Sequence, residues 1–129
     1  MNEPQTPQGG DMGEQDKIVV LTTDLFFGMR VRTTVKQLGY SVTITKDEAG
    51  TIDALAQQTP VLVLVDFNQP VDWPALAPLE TAGVPVIAFG SHTDVEGFRA
   101  AKAASVSRVV SNGEFSRTLP ALIAKYRNS

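Results

Sequence analysis

The chain contains no cysteine and a single histidine. Disulfides, thiolate zinc sites, cysteine nucleophiles and multi-histidine metal centres are therefore excluded. It has no excess of basic charge: 11 Lys and Arg stand against 14 Asp and Glu, a net charge of −3. A nucleic-acid binder needs a basic surface to neutralise phosphates, and overall charge gives none. No apolar run approaches the ~20 residues that span a bilayer. The first residues lack the basic start and apolar stretch of a secretory signal. Neither G-x-G-x-x-G nor a Walker A pattern occurs, which argues against dinucleotide and P-loop nucleotide binding. G-x-S-x-G, the nucleophile elbow of one hydrolase class, is absent too. What remains is 129 residues of ordinary globular composition, 43% hydrophobic and 19% charged. That suffices for one domain with a real core.

Met1 to Asp16 holds Pro, Gln, Gly and acids, with no Lys or Arg. Such a segment buries too little to offset the entropy of ordering, so it is expected to be a disordered tail, with one domain over 17–129. From Lys17 the pattern changes. Short β-branched runs recur at Ile18–Leu21, Ser41–Thr45, Val61–Phe67, Val84–Phe89 and Val106–Val110. Bounded by turn residues, they read as strands. Those that are wholly apolar suit strands covered on both faces.

Helical stretches lie between them. Phe27, Val31, Val35 and Leu38 share a helical face, with Asp24 as N-cap and Gly39 just past the end. Glu48 to Gln57 carries Ile52, Leu55 and Ala56 as its expected inner face. Asp72-Trp73-Pro74 opens a third helix, which Pro78 keeps short or irregular. Thr93-Asp94-Val95-Glu96 reads as a capping box, with Thr93 at the N-cap. The last helix is expected from Ser116 to Tyr126, with Pro120 in its first turn. Five β-α units in about 110 residues fit an α/β, flavodoxin-like, doubly wound parallel sheet of five strands, order 2-1-3-4-5, with helices on both faces.

In that architecture ligands bind beyond the carboxyl ends of the strands. The residues there are Thr22, Thr23 and Asp24; Asp66, Phe67 and Asn68; Gly90, Ser91 and His92; and Ser111, Asn112 and Gly113. Asp66 stands out, because it ends the apolar run Val61–Val65, where a carboxylate is costly to desolvate without partners. Two readings of it are open: an acceptor or ligand carboxylate at the sheet edge, or a group bonded to the backbone N–H groups of the next loop. Phe26, Phe67 and Trp73 are candidates for an apolar rim or for cover of the sheet end. Arg99, Lys102, Arg108, Arg117, Lys125 and Arg127 make the last third basic.

The segments Val61–Pro70 (VLVLVDFNQP), Val84–His92 (VPVIAFGSH) and Val106–Phe115 (VSRVVSNGEF) carry a resemblance. From Lys17 to Tyr126 the chain resembles the receiver domain of two-component response regulators. Asp66 is followed two residues later by Asn68 and four by Pro70, as in that family. The resemblance implies that Asp66 matches the phosphoryl-accepting Asp. The family's acidic pair, which binds Mg²⁺ with that Asp, falls on Thr22 and Thr23, and the nearest acid is Asp24. Its Thr or Ser after the fourth strand falls on Gly90, beside Ser91. Its Lys falls on Ser111, and the aromatic that turns inward on activation falls on Arg108.

A hard dication wants several carboxylate oxygens, and a transferring phosphoryl group wants a fixed cation. With those groups missing, the expectation is a stand-alone, atypical pseudo-receiver. It would be a cytoplasmic, non-enzymatic signalling module with no metal and no cofactor. Its edge would be formed by Asp66, Asp24, Thr23, Ser91, His92 and Ser111. The expected partner is a protein, either a signalling protein or one like a histidine kinase, with homodimerisation possible and no nucleic acid or membrane contact. The resemblance implies a contact face on the fourth helix, fifth strand and fifth helix. Two alternatives stay open: a receiver phosphorylated on Asp66, with Asp24 sharing the metal, and a small-ligand or enzymatic domain with a pocket at Asp66, Ser91 and His92.

Overall fold

The computed structural model describes residues 15–128. Most of the expected tail, residues 1–14, lies outside the described residues. Its last two positions are tied to the domain: the Asp16 carbonyl accepts from the Ser41 amide at 2.9 Å, and Gln15 Nε2 donates to the Gly39 carbonyl at 3.3 Å. Among the described residues there are five strands and five α-helices, strictly alternating. They are β1 (Lys17–Leu21), α1 (Leu25–Gln37), β2 (Ser41–Thr45), α2 (Glu48–Gln57) and β3 (Leu62–Asp66). There follow α3 (Ala77–Thr81), β4 (Val86–Gly90), α4 (Val95–Ala103), β5 (Arg108–Ser111) and α5 (Asn112–Tyr126). The strands form one parallel sheet in the order β2-β1-β3-β4-β5, as the alternation implies.

Period-two alternation divides the core between the faces. Ile18, Val20, Leu62, Leu64, Ile87 and Phe89 meet Val31 and Val35 of α1 and Phe115, Leu119 and Ile123 of α5. Val19, Leu21, Val63, Val65 and Val86 meet Ala54 of α2 and Leu76 and Leu79 around α3. A smaller cluster of Phe67, Ala88 and Ala101 lies under α4. Lys17, buried at the start of β1, donates from Nζ to the Ala54 carbonyl at 2.7 Å. It brings a cation to the last turn of α2, where the helix dipole favours one. No helix of the described residues is long and apolar enough to cross a membrane.

The local signals for α1 hold. Asp24 Oδ1 accepts from the Phe27 amide at 3.0 Å, and Gly39 has φ +97°, the left-handed conformation of a helix stop. Leu38, expected inside, is exposed, because the helix has already ended at Gln37.

Three further expectations need correction. In α2 the inner face is Thr51 and Ala54; Ile52 and Leu55 are half-buried and Ala56 is exposed. The Thr51 hydroxyl, 2.7 Å from that of Thr45, sets this rotation. The third helix is short and irregular, as expected: a 3-10 turn over Trp73–Leu76 is followed by a five-residue α3, because Pro74 and Pro78 each withhold an N–H. The α4 N-cap is Asp94, not Thr93: Asp94 Oδ1 accepts from the Gly97 amide at 2.9 Å, while Glu96 pairs with Arg99. Finally, α5 begins at Asn112, four residues before the expected Ser116, and is capped by Ser111. Thr118 interrupts it with non-helical φ −123°, ψ 16°, two residues before Pro120. Pro120 is thus in the first turn of a second helical segment and not of the whole helix. Its ring blocks the i−4 bond and displaces the preceding turn.

At the amino-terminal edge of the sheet the two described ends meet. Arg127 forms an ion pair with Asp16 at 2.8 Å, and the Asn128 amide donates to the Val61 carbonyl at 2.8 Å.

The capping assignment gives a direct test. Asp94→Ala should cost about 1 kcal/mol of stability and Thr93→Ala a few tenths, compared by urea denaturation. The reverse order would return the cap to Thr93.

Candidate functional site

The carboxyl edge of the sheet carries a hydrogen-bond network, beside which Gln69 and Thr23 form a separate pair. The centre of the network is Asp66, the last residue of β3, which is only 4% exposed. Three donors converge on its carboxylate. Thr22 Oγ1 donates to Oδ2 at 2.7 Å, and the Asn68 amide N–H and Nδ2 donate to Oδ1 at 2.8 and 2.7 Å. Bonds of this charge-assisted kind each contribute about 1.5–3 kcal/mol. They allow a buried carboxylate at the end of an apolar strand.

Asn68 is the second hub. It pairs reciprocally with Asn112, each Nδ2 donating to the other's Oδ1 at 3.0 Å. Its Oδ1 also accepts from the Ser91 amide at 3.0 Å. One side chain therefore links the ends of β3, β4 and β5. Gln69 completes the edge toward β1: its Oε1 accepts from the Thr23 amide at 2.6 Å and from Thr23 Oγ1 at 2.8 Å. Apart from Asp66 every side chain that makes these bonds is uncharged.

The sequence-derived candidates divide accordingly. Asp66 belongs to the network through its side chain, Ser91 joins through its amide, and Thr23 bonds to Gln69 beside it. The Ser91 hydroxyl turns to Thr93 Oγ1 at 2.8 Å. Asp24 spends its carboxylate on the α1 cap. Ser111 caps α5, its Oγ accepting from the Glu114 amide at 3.1 Å. His92 is exposed, and no hydrogen bond or ion pair among the described residues involves it. The residues that sequence reasoning missed as participants are Gln69 and, in their bridging roles, Asn68 and Asn112. Their signal was a set of amide side chains immediately after the strands.

Beside Asp66 lies a cleft of about 500 Å³, lined among others by Asp24, Arg30, Asn68, Gln69 and Asn112. Ser91 and His92 are not part of its wall, so the pocket expected from Asp66, Ser91 and His92 together is not assembled. The cleft offers two carboxylates, Asp24 and Asp66. Asp66 Oδ1 accepts from Asn68 and Oδ2 from Thr22, and Asp24 Oδ1 caps α1. Among the described residues no group of three or more His, Cys, Asp or Glu side chains comes together.

Phe67, expected near an apolar rim, is instead buried against α4. Its ring packs edge-on against Phe98 at 5.2 Å between centroids. It fills the space that a side chain at position 90 would take: a Cβ on Gly90 would lie 2.3 Å from the ring, and one on Gly97 2.7 Å. Both glycines are thus required by close approach. Arg108 points no aromatic inward; it is exposed and pairs with Glu114 at 3.0 Å. Tyr126, and after it the Glu114 carboxylate, push its pKa up. Of the remaining expected rim, Phe26 is exposed and Trp73 half-buried over the α3 side.

No family model and no curated protein matches the chain. Solved structures do. The chemotaxis protein CheY4 of Vibrio cholerae superposes with a TM-score of 0.73 at 15% identity, covering 88% of this chain and 99% of that one. The receiver domain of NtrX from Brucella abortus gives 0.72 at 16%, with 86% and 97% covered. The BeF3-activated receiver domain of Klebsiella pneumoniae RstA gives 0.73 at 17%, with 86% and 97% covered. The chain has the receiver fold.

Two outcomes follow from the packing. Asn68→Ala removes one Asp66 donor and the bridges to Ser91 and Asn112, and should lower stability by about 1–3 kcal/mol in urea denaturation. Gly90→Thr should cost about 1–3 kcal/mol by overpacking against Phe67. In a Phe67→Ala background the same Gly90→Thr change should be neutral or stabilising, the coupling expected of direct contact.

Proposed function

We propose that this chain is a non-catalytic regulatory module on the receiver fold, acting by contact with a protein partner and without Mg²⁺-dependent phosphorylation of Asp66. The signalling part of this reading leans on its fold neighbours, which are a chemotaxis protein and receiver domains of response regulators. The departure from them rests on one observation. The Asp66 carboxylate is buried, and both its oxygens are held by Thr22 and Asn68.

The physical consequence runs through each requirement of phosphoryl transfer. An attacking carboxylate oxygen must be open to the donor; here Asp66 is only 4% exposed, with two hydrogen bonds on Oδ1 and one on Oδ2. Developing charge on the phosphoryl oxygens needs a metal and a fixed cation. Thr22, Thr23 and Ser111 supply hydroxyls instead, and two of them are committed to Asp66 and to the α5 cap. Gly90 offers no hydroxyl, and Phe67 covers it. The edge is arranged to hold four loops in fixed relation, which suits a surface that a partner reads.

Incubation of the full chain with acetyl phosphate and Mg²⁺, followed by intact mass measurement, tests the reading. No lasting adduct of one phosphoryl group is expected. A stable adduct that disappears in Asp66→Asn would overturn it in favour of a phosphorylated receiver.

A further inference from the structure

A groove of about 720 Å³ runs between α3 and α4, larger than the cleft beside Asp66 and sharing no residue with it. Its origin is local. Pro74 and Pro78 leave α3 only five residues, so the chain covers little of the sheet before β4. On the opposite wall α4 presents Ala100 and Ala103, whose side chains are too short to close the gap. Val84, Val86 and Val106 form an apolar floor with Leu79 beside them. The volume lies within the ~300–1,000 Å³ of small-molecule sites, which are mostly apolar with a few placed polar groups.

Those polar groups are few and sorted. Glu80 is the one charged residue of the lining; it is exposed, and no ion pair among the described residues involves it. Trp73, half-buried, lines the same α3 side. A carboxylate and an aromatic face both attract an ammonium group. The Tyr126 end is different, because the Lys125 ammonium already lies 5.4 Å from the centre of that ring. A third feature marks the α4 side. Three helices stop at a residue in the left-handed conformation: Gly39 after α1 (φ +97°), Gly83 after α3 (φ +74°) and Ser105 after α4 (φ 60°). Glycine takes that conformation without steric cost and serine does not. The costlier residue is the one that sets a hydroxyl on the groove wall.

From this we propose that the groove between α3 and α4 binds a small amphipathic amine. Its apolar body lies on Leu79, Val84, Ala103 and Val106, and its ammonium head lies on the side of Trp73 and Glu80. An anionic head would meet the one carboxylate of the lining, and a neutral head would leave it unused. The inference goes beyond the reading of the Asp66 edge and does not depend on it, so the phosphodonor result and the binding result can fail separately.

Trp73 is the single tryptophan of the chain, so its fluorescence reports occupancy of the groove. The test titrates the full chain with three probes that share a diphenylbutyl body and differ only in the head: an amine, an alcohol and a carboxylate. Binding is followed by Trp73 fluorescence and by amide shifts of the ¹⁵N-labelled chain. Saturable binding is expected for the amine, about threefold or more weaker for the alcohol and weaker again for the carboxylate. Added salt should narrow these differences. Glu80→Gln should bring the amine down to the affinity of the alcohol and leave the alcohol unchanged. Ala103→Leu should fill the groove and abolish saturable binding of all three, with an unchanged circular dichroism spectrum. Equal binding of the three heads, no saturable binding of any, shifts centred away from Leu79, Val84 and Val106, or an Ala103→Leu chain that binds as the parent does would overturn the proposal. Shifts in residues 1–14 on adding the amine would make the chain's own tail the resident occupant. Lining amides that shift on dilution without probe would make a second copy the occupant. Either outcome would overturn it as well.

Discussion

A carboxylate at the end of a buried strand must be solvated by the protein, and the edge of this domain is organised around meeting that demand at Asp66. β3 is the central strand, covered on both faces, so water reaches its last residue poorly. Thr22 comes from the neighbouring strand and Asn68 from the turn that follows, and between them they occupy both oxygens. Asn68 then has a carbonyl and a second N–H to satisfy, and these fix the Ser91 loop and the start of α5. The positions of four strand ends thus follow from the needs of one charge. An amide suits this work because it donates and accepts at once, which neither a lysine nor a carboxylate does.

The apolar side of the same edge is equally fixed. Phe67 follows Asp66 directly, so its ring turns to the opposite face and lies over Gly90 and Gly97. The β4 end and the first turn of α4 therefore close on a ring and not on a side chain of β4 itself. Arg108 remains outside with Glu114 as its partner.

Much of the fold was legible because its signals are local and redundant. Apolar runs between turn residues gave the strands, and Asp24 and Gly39 bracketed α1. The errors arose where two local patterns compete. Thr93-x-x-Glu96 and Ser111-x-x-Glu114 have the same capping form, yet the first fails because Asp94, one residue on, reaches the Gly97 amide, and the second succeeds. Pro120 and Gly113 made the beginning of α5 look like loop, and only packing of Phe115 into the core overrides that. At the site, Asp66 was legible as the anomaly it is. Its partners were not, because which of several polar loop residues bridges two strand ends depends on the register of the sheet, and no spacing in the sequence encodes it. The burial of Phe67 was hidden for the same reason: it needs two glycines from another strand and another helix.

The ion pair between Asp16 and Arg127 has a consequence for how the domain can be handled. It places both termini of the folded unit on one side, across a sheet whose strands of four or five residues are up to about 17 Å long, from the polar loops and the start of α1. A fluorescent protein, a surface anchor or a second module fused to either end would hang from the rear of the molecule. A short Gly-Ser bridge could even join the ends into a circle, leaving the opposite rim unencumbered.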